Sequence, residues 1–208
     1  LVPALASAQA PPERATMTAV RMSDEETITL DGALDEPIWM RAVPATNFTQ
    51  QFPQTGAPAT ERTEVRLVYN RTTLYMGVTC FDSEPDRLLR YQIRRDQFLR
   101  ADDRFMWVID PFLTGQSGYH FETNPSGLMG EGLLGPAGYN REWDGIWDLR
   151  VRRTSIGWTL EIEIPFSTLN FDPNATAWGI NFQRSVRRKA EESLWTGWAL
   201  NQGLFRFS

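Results

Sequence analysis

The chain carries one cysteine and one histidine, and Lys189 is its only lysine. The lone Cys80 excludes an internal disulfide framework. It alternates with Leu74, Met76 and Val78 and reads as a small buried hydrophobe. The lone His120 sits between Tyr119 and Phe121 in a strand pattern, and no serine or cysteine is marked as its nucleophilic partner. It reads as a structural or exposed histidine rather than a general base. The sequence has no phosphate-binding glycine loop, no dinucleotide fingerprint, no internal repeat and almost no long amphipathic helical pattern. No segment approaches the ~18 consecutive apolar residues of a membrane-spanning helix. A net charge of -5 argues against general nucleic-acid binding.

Aromatic residues, in contrast, are plentiful at 12%, eight of them tryptophan. With 208 residues, 41% hydrophobic and 23% charged, the chain suits one domain with a substantial core. Its basic residues are almost all arginine. That bias reflects either a GC-rich genome or surfaces suited to bidentate contacts with carboxylates and partner proteins. Leu1 to Ala10 reads as the tail of a secretory signal, with small residues at Ala6 and Ala8 for cleavage. The expectation is an exported protein of the periplasm or cell envelope. Residues 1–26 form a leader that contacts a partner or membrane, with a strand near Thr18–Met22, and residues 27–208 form a single β-sandwich module.

From Thr27 onward the chain is dense with short strands. Thr63 to Tyr69 and Leu74 to Cys80 alternate around the turn Asn70–Thr73 and read as a hairpin. Pro85 to Phe98 has mixed, partly helical character. Arg104 to Asp110 and Tyr119 to Thr123 are strands. Gly127 to Gly145 is glycine-rich and reads as an irregular functional loop. Trp147 to Arg153 and Gly157 to Ile164 form a second hairpin, with Trp158, Leu160, Ile162 and Ile164 inward and Thr159, Glu161 and Glu163 facing water. Pro165 to Leu169 is a helical turn, and Trp178 to Arg188 and Ser193 to Ala199 complete the strands. Trp39, Trp107, Trp158 and Trp178 fall on core positions. The pattern is an antiparallel β-sandwich.

Leu30 to Ala42 reads Leu-Asp-Gly-Ala-Leu-Asp-Glu-Pro-Ile-Trp-Met-Arg-Ala. Asp31-Gly32 is a turn signal after the alternating Ile28-Thr29-Leu30, and Leu34, Ile38 and Trp39 recur at helical spacing with Pro37 in the first turn. A strand ends, the chain turns, and a short helix lays a tryptophan on the sheet. This string resembles the opening signature of the family 9 carbohydrate-binding modules, in the form found at the front of bacterial cell-envelope proteins. Glu61 to Val65 with Leu74 to Val78 is similar to the family's central hairpin. Asp102 to Phe105 running into Ile109-Asp110-Pro111 resembles its next strand, Tyr119 to Gly127 its F-x-x-N-P-x-G element, and Gly157 to Phe166 its late hairpin strand. Trp178 to Phe182 with Arg184, Arg187 and Arg188 resembles its closing strand. The likeness spans about residues 27–198. It implies an all-β, jelly-roll-like sandwich with short helical turns, a module that binds and docks without catalysing, and a structural calcium.

Three surfaces follow. A pyranose ring stacks its C–H face on an aromatic ring while planar polar side chains take the hydroxyls. Trp143 and Trp147, with Asn140, Arg141 and Asp144, are the candidate sugar site; the alternative for the two tryptophans is loop packing. Arginine and aromatic side chains dominate protein interfaces. Arg90, Arg94 and Arg95, interleaved with Tyr91 and Phe98, are the candidate docking face for a membrane-associated complex; the alternative is a solvated surface. Calcium takes six to eight oxygens, often from loops. Asp31, Asp35, Asp102 and Asp103 are its candidate ligands, unless they are turn formers and solvated charges. A glycosidase would need a carboxylate pair at set separation. Asp96, Asp102, Asp103, Asp110, Glu122 and Glu131 supply candidates that any surface would, so the expectation is no enzyme. The expected function is a non-catalytic glycan-binding module, or alternatively an accessory subunit docked on the periplasmic face of a membrane complex.

Overall fold

The computed structural model describes residues 15–204, so the signal-like Leu1–Ala10 lies outside the described residues. In chain order the elements are β1 (Val20–Arg21), α1 (Pro37–Arg41), β2 (Thr49–Phe52), β3 (Thr63–Tyr69), β4 (Thr73–Phe81), β5 (Arg104–Asp110), β6 (Gly118–Thr123), β7 (Met129–Gly135), β8 (Gly138–Asn140), β9 (Asp148–Thr154), β10 (Gly157–Pro165), β11 (Gly179–Val186) and β12 (Glu191–Leu194). Short 3-10 turns at Pro85–Arg87, Phe166–Thr168 and Arg187–Lys189 punctuate them. The strands form a five-stranded sheet in the order β1-β3-β4-β10-β9 and a seven-stranded sheet in the order β2-β12-β11-β5-β6-β7-β8. All pairings are antiparallel except β1 with β3.

Period-2 alternation places the core between the sheets. Val65, Met76, Val78, Trp158, Leu160 and Ile162 from one sheet meet Phe105, Trp107, Ile109, Phe121 and Phe182 from the other. Trp107 stacks on Phe121 at 5.2 Å and on Phe105 at 5.8 Å. Of the four tryptophans expected in the core, Trp39, Trp107 and Trp158 are fully buried, and Trp178 is partly buried with Phe166 and Phe171 at one end of the sandwich. Cys80 is buried among these side chains, and burial pushes its thiol up to about 11.

The two hairpins β3–β4 and β9–β10 form where expected, the first turned by Asn70, whose Oδ1 accepts the amides of Thr72 and Thr73 at 2.9 Å. Four expectations change. The last strand is Glu191–Leu194 and not Ser193–Ala199. Ile28–Leu30 is not a strand; that segment runs into the turn that carries α1. Pro85 to Phe98 is helical only in one 3-10 turn. Most of Gly127–Gly145 is no irregular loop but the β7–β8 ladder. Glycines hide its alternation, and they are needed there. A Cβ at Gly130 would stand 3.0 Å from Glu122 Cγ, and one at Gly132 would collide with the Tyr139 ring and the Asn140 carbonyl. Other side chains occupy that space.

The opening motif packs on the outer face of the five-stranded sheet. Trp39 lies over Gly77, where a Cβ would come within 2.9 Å of the indole and of Leu34. Beside Gly77 in register stands Glu161. Glu161 is expected in water from its alternation, yet it is fully buried. Its Oε2 accepts the amides of Asp31 at 2.8 Å and Gly32 at 2.9 Å, and its Oε1 accepts Trp39 Nε1 at 3.1 Å. Gly32 adopts φ 86° against the Arg152 backbone, which leaves no room for a side chain. The Asp-Gly turn is thus a pair of donors aimed at one buried carboxylate.

Candidate functional site

The segment from Leu88 to Asp103 joins the two sheets and is fastened rather than loose. Asp102 Oδ2 accepts Gln92 N at 2.9 Å and Asn124 Nδ2 at 2.6 Å, and Asn124 Nδ2 also reaches Gln92 O at 2.8 Å. Asp103 accepts Leu89 N at 3.0 Å and Arg187 N at 2.6 Å. Burial raises the Asp103 carboxyl, against those backbone donors. Asp102 and Asp103 therefore act as anchors for backbone amides. Asp31 accepts Ala33 N at 2.7 Å and pairs with Arg152 at 3.1 Å, while Asp35 is exposed. Among the described residues no three His, Cys, Asp or Glu side chains gather as a metal site. The four aspartates do not come together as a calcium site; two hold a segment and one holds a turn.

The same segment splits the candidate docking face in two. Arg90, Tyr91 and Arg94 stay exposed. Arg95 is also exposed, at 41% of its side chain, but pairs with the buried Glu131 and donates to Gly145 O at 3.0 Å. Phe98 takes the Arg141 guanidinium over its ring at 4.4 Å, and Arg141 also donates to Asp96 O at 3.0 Å. So Arg95 and Phe98, expected to dock a partner, share one surface with Arg141, expected to bind sugar.

That surface is the rim of the outer face of the seven-stranded sheet. Because partners across an antiparallel ladder share a face, Arg104, His120, Glu122, Gln183 and Tyr139 stand on the side away from the core. Arg141 lies 3.4 Å and Arg104 3.9 Å from Glu122. Arg104 also reaches Glu192 at 3.4 Å and Ser185 Oγ at 3.2 Å, and Gln183 donates to Glu192 at 3.3 Å. Burial raises the Glu122 carboxyl, while the two arginines pull it back. Tyr139 Oη lies 2.8 Å from His120 Nδ1. Burial, then Arg141 and Arg104, push His120 down to about 3, so its ring is neutral. Burial pushes the Tyr139 phenol up to about 12. At the rim, Phe98 is 60% and Tyr139 40% exposed. The arrangement offers exposed aromatic surface beside hydrogen-bonded guanidinium and carboxylate groups.

The remaining sequence candidates separate. Trp147 is 6% exposed and packs edge-on against Trp107 and Phe121, which is the packing alternative. Trp143 is half-buried against Tyr119 at 5.2 Å and Phe121 at 6.1 Å. Asn140 caps the following turn by accepting Glu142 N at 2.9 Å, and Asp144 is exposed. Sequence reasoning did not single out Tyr139, Gln183 or Glu192. The available signal was the polar phase of β6, His120 and Glu122 between core aromatics, opposite Gly132 and Gly130 on β7.

Two packed, almost wholly antiparallel sheets make the fold a β-sandwich. The chain superposes on a family 9 carbohydrate-binding module from Caldicellulosiruptor kristjanssonii in complex with glucose, with a TM-score of 0.61 over 92% of this chain and 93% of that one, at 16% identity. A module of that family and organism in complex with cellotriose matches with a TM-score of 0.58 over 91% and 90%, also at 16% identity. A candidate carbohydrate-binding protein from Bacteroides uniformis matches with a TM-score of 0.56 over 72% and 77%, at 10% identity. No protein-family model and no curated protein matches the chain. At these identities the likeness is one of fold.

Proposed function

We propose that this protein is a non-catalytic carbohydrate-binding module, and that it holds a glycan against the rim of the seven-stranded sheet formed by Phe98, Tyr139, Arg141, Glu122 and Arg104. The observation that carries this reading is the meeting of the exposed Phe98 and Tyr139 rings with the part-buried Arg141 and Arg104, which pair with the buried Glu122. Aromatic faces take sugar C–H surface, and paired planar ions take hydroxyl pairs without reorganising. The glucose and cellotriose held by two of the similar structures support the ligand class. The single histidine, neutral and hydrogen-bonded, and the buried Cys80 thiol suit binding better than acid–base or nucleophilic work. The signal-like start of the sequence supports a place in the periplasm or cell envelope. The docking alternative would use Arg90, Tyr91 and Arg94, which stand outside this rim.

Calorimetric titration with glucose, cellotriose and a panel of plant and bacterial glycans tests the reading. Saturable binding should weaken about tenfold in Phe98→Ala and in Arg141→Ala, the loss of about 1.4 kcal/mol of stacking or charge-assisted contact. Absence of binding across the panel, or binding untouched by both substitutions, rejects it.

A further inference from the structure

Arg90 and Arg153 flank a shallow groove of about 380 Å³, lined also by Pro85, Leu88, Thr154 and Ser155. Most neighbouring arginines are paired: Arg87 with Glu84, Arg150 with Asp148, and Arg152 with Asp31. Arg90 and Arg153 make no ion pair among the described residues, and Asp86 is the one carboxylate in the lining. Two unpaired guanidinium groups beside two hydroxyl-bearing residues suit a phosphate, which takes arginine bidentately. Flanking the groove are large apolar side chains that are half or more exposed. Tyr91 is 67% and Ile93 75% exposed in the loop after Arg90, and Ile156 is 50% exposed in the turn after Ser155. These tips are held in place. Gln92 is fixed through both backbone groups by Asp102 and Asn124, and Ser126 Oγ donates to Arg90 O at 3.2 Å. Binding there would cost little loop ordering.

We propose that this end of the sandwich docks on an anionic lipid bilayer, with a headgroup phosphate between Arg90 and Arg153 and with Tyr91, Ile93 and Ile156 entering the interface. A bilayer suits this pattern, because apolar tips enter the acyl boundary while arginines stay at phosphate level. Positive charge on this face of an otherwise acidic chain is complementary to phosphatidylglycerol. The surface is distinct from the glycan rim, since neither Phe98 nor Arg141 takes part.

Flotation with phosphatidylcholine vesicles, with and without phosphatidylglycerol, tests the inference. The protein should float only with the anionic vesicles and be released by high salt. Arg90→Ala and Arg153→Ala should each weaken partition about fivefold. Ile93→Ser should weaken it as well, and all three should keep the glycan affinity of the parent protein. Equal partition to both vesicles, no partition, or full partition of the Arg90→Ala/Arg153→Ala double variant overturns the proposal. So does tight binding of inorganic phosphate without vesicle binding, which would mark a site for a free anion.

Discussion

The two sheets differ in how far the chain covers their outer faces. The five-stranded sheet is covered by its own chain. Asp31-Gly32 hooks onto Glu161, Trp39 lies over Gly77, and Met22, Ile38, Ala42 and Val68 close a small second core. The seven-stranded sheet is covered only in part, where Leu204 joins Met106, Val108 and Leu194; beside that cluster it holds Arg104, Glu122, His120 and Tyr139 on its outer side and leaves Phe98 and Tyr139 exposed at the rim. Both faces bury carboxylates and use glycines to let rings approach the backbone. On one face the Glu161 carboxylate is taken up by the chain's own backbone and indole donors. On the other, guanidinium and carboxylate groups are paired with each other at longer range. The first is a fastening and the second a surface that can be shared with a ligand.

Removing the cover should be the most damaging change. Trp39→Ala should cost about 3–5 kcal/mol, from lost burial and the cavity left over Gly77. Urea unfolding would measure that loss, while glycan affinity of the folded fraction stays at the parent value. An equal loss of glycan affinity would break the division between the faces.

The faces should also answer pH with opposite signs. Burial, with Glu36 nearby, pushes Glu161 up to about 7. The folded state therefore binds that proton more tightly than the unfolded chain, and its contribution is lost as pH rises from about 4.5 to 7. His120 is pushed down to about 3. The unfolded chain takes up that proton first, so stability is lost as pH falls from about 6.5 toward 3. Relative to the parent protein, Glu161→Gln should gain stability with rising pH, and His120→Asn with falling pH, each by on the order of 2 kcal/mol. Chemical denaturation across this range reads both slopes, and slopes of the same sign would contradict the contrast.

A smaller effect is expected from Gly132→Ala. Its Cβ would meet the Tyr139 ring and the Asn140 carbonyl, so β8 must shift. About 1–3 kcal/mol of stability should go, together with glycan affinity. Gly77→Ala on the covered face should cost a similar amount and leave affinity alone.

The covered face was more legible in the sequence than the open one. Leu30 to Ala42 carries its turn, its first-turn proline and its tryptophan within thirteen residues, so local spacing is enough to read it. The β3–β4 hairpin was legible for the same reason: its alternation and its turn residues are adjacent. Glu161 was misplaced because alternation tells which face a side chain takes and not what covers that face. The rim proposed to hold a glycan was harder. Arg141 and Phe98 are far apart in sequence and fell into two separate candidate surfaces; only the fastening of the 88–103 segment by Asp102, Asp103 and Asn124 brings them together. The glycines of β7 erased the pattern that would have identified a strand, because the room they leave is filled from β6 and β8.

The finest contrast comes from removing one hydroxyl on each face. Thr159 Oγ1 donates to Gly32 O at 2.6 Å under the cover, and Tyr139 Oη pairs with His120 on the open face. Thr159→Val and Tyr139→Phe each remove a hydroxyl that is hydrogen-bonded in a part-buried setting, so each should cost about 1 kcal/mol of stability. Their effects on binding should then separate by how Tyr139 works. If its ring face is the contact, Tyr139→Phe keeps affinity within about twofold, while Tyr139→Ala loses about tenfold. Thr159→Val should change affinity not at all. A calorimetric series over the three variants therefore decides whether the open face recognises sugar through its aromatic surface, because a phenol acting as donor would make Tyr139→Phe as weak as Tyr139→Ala.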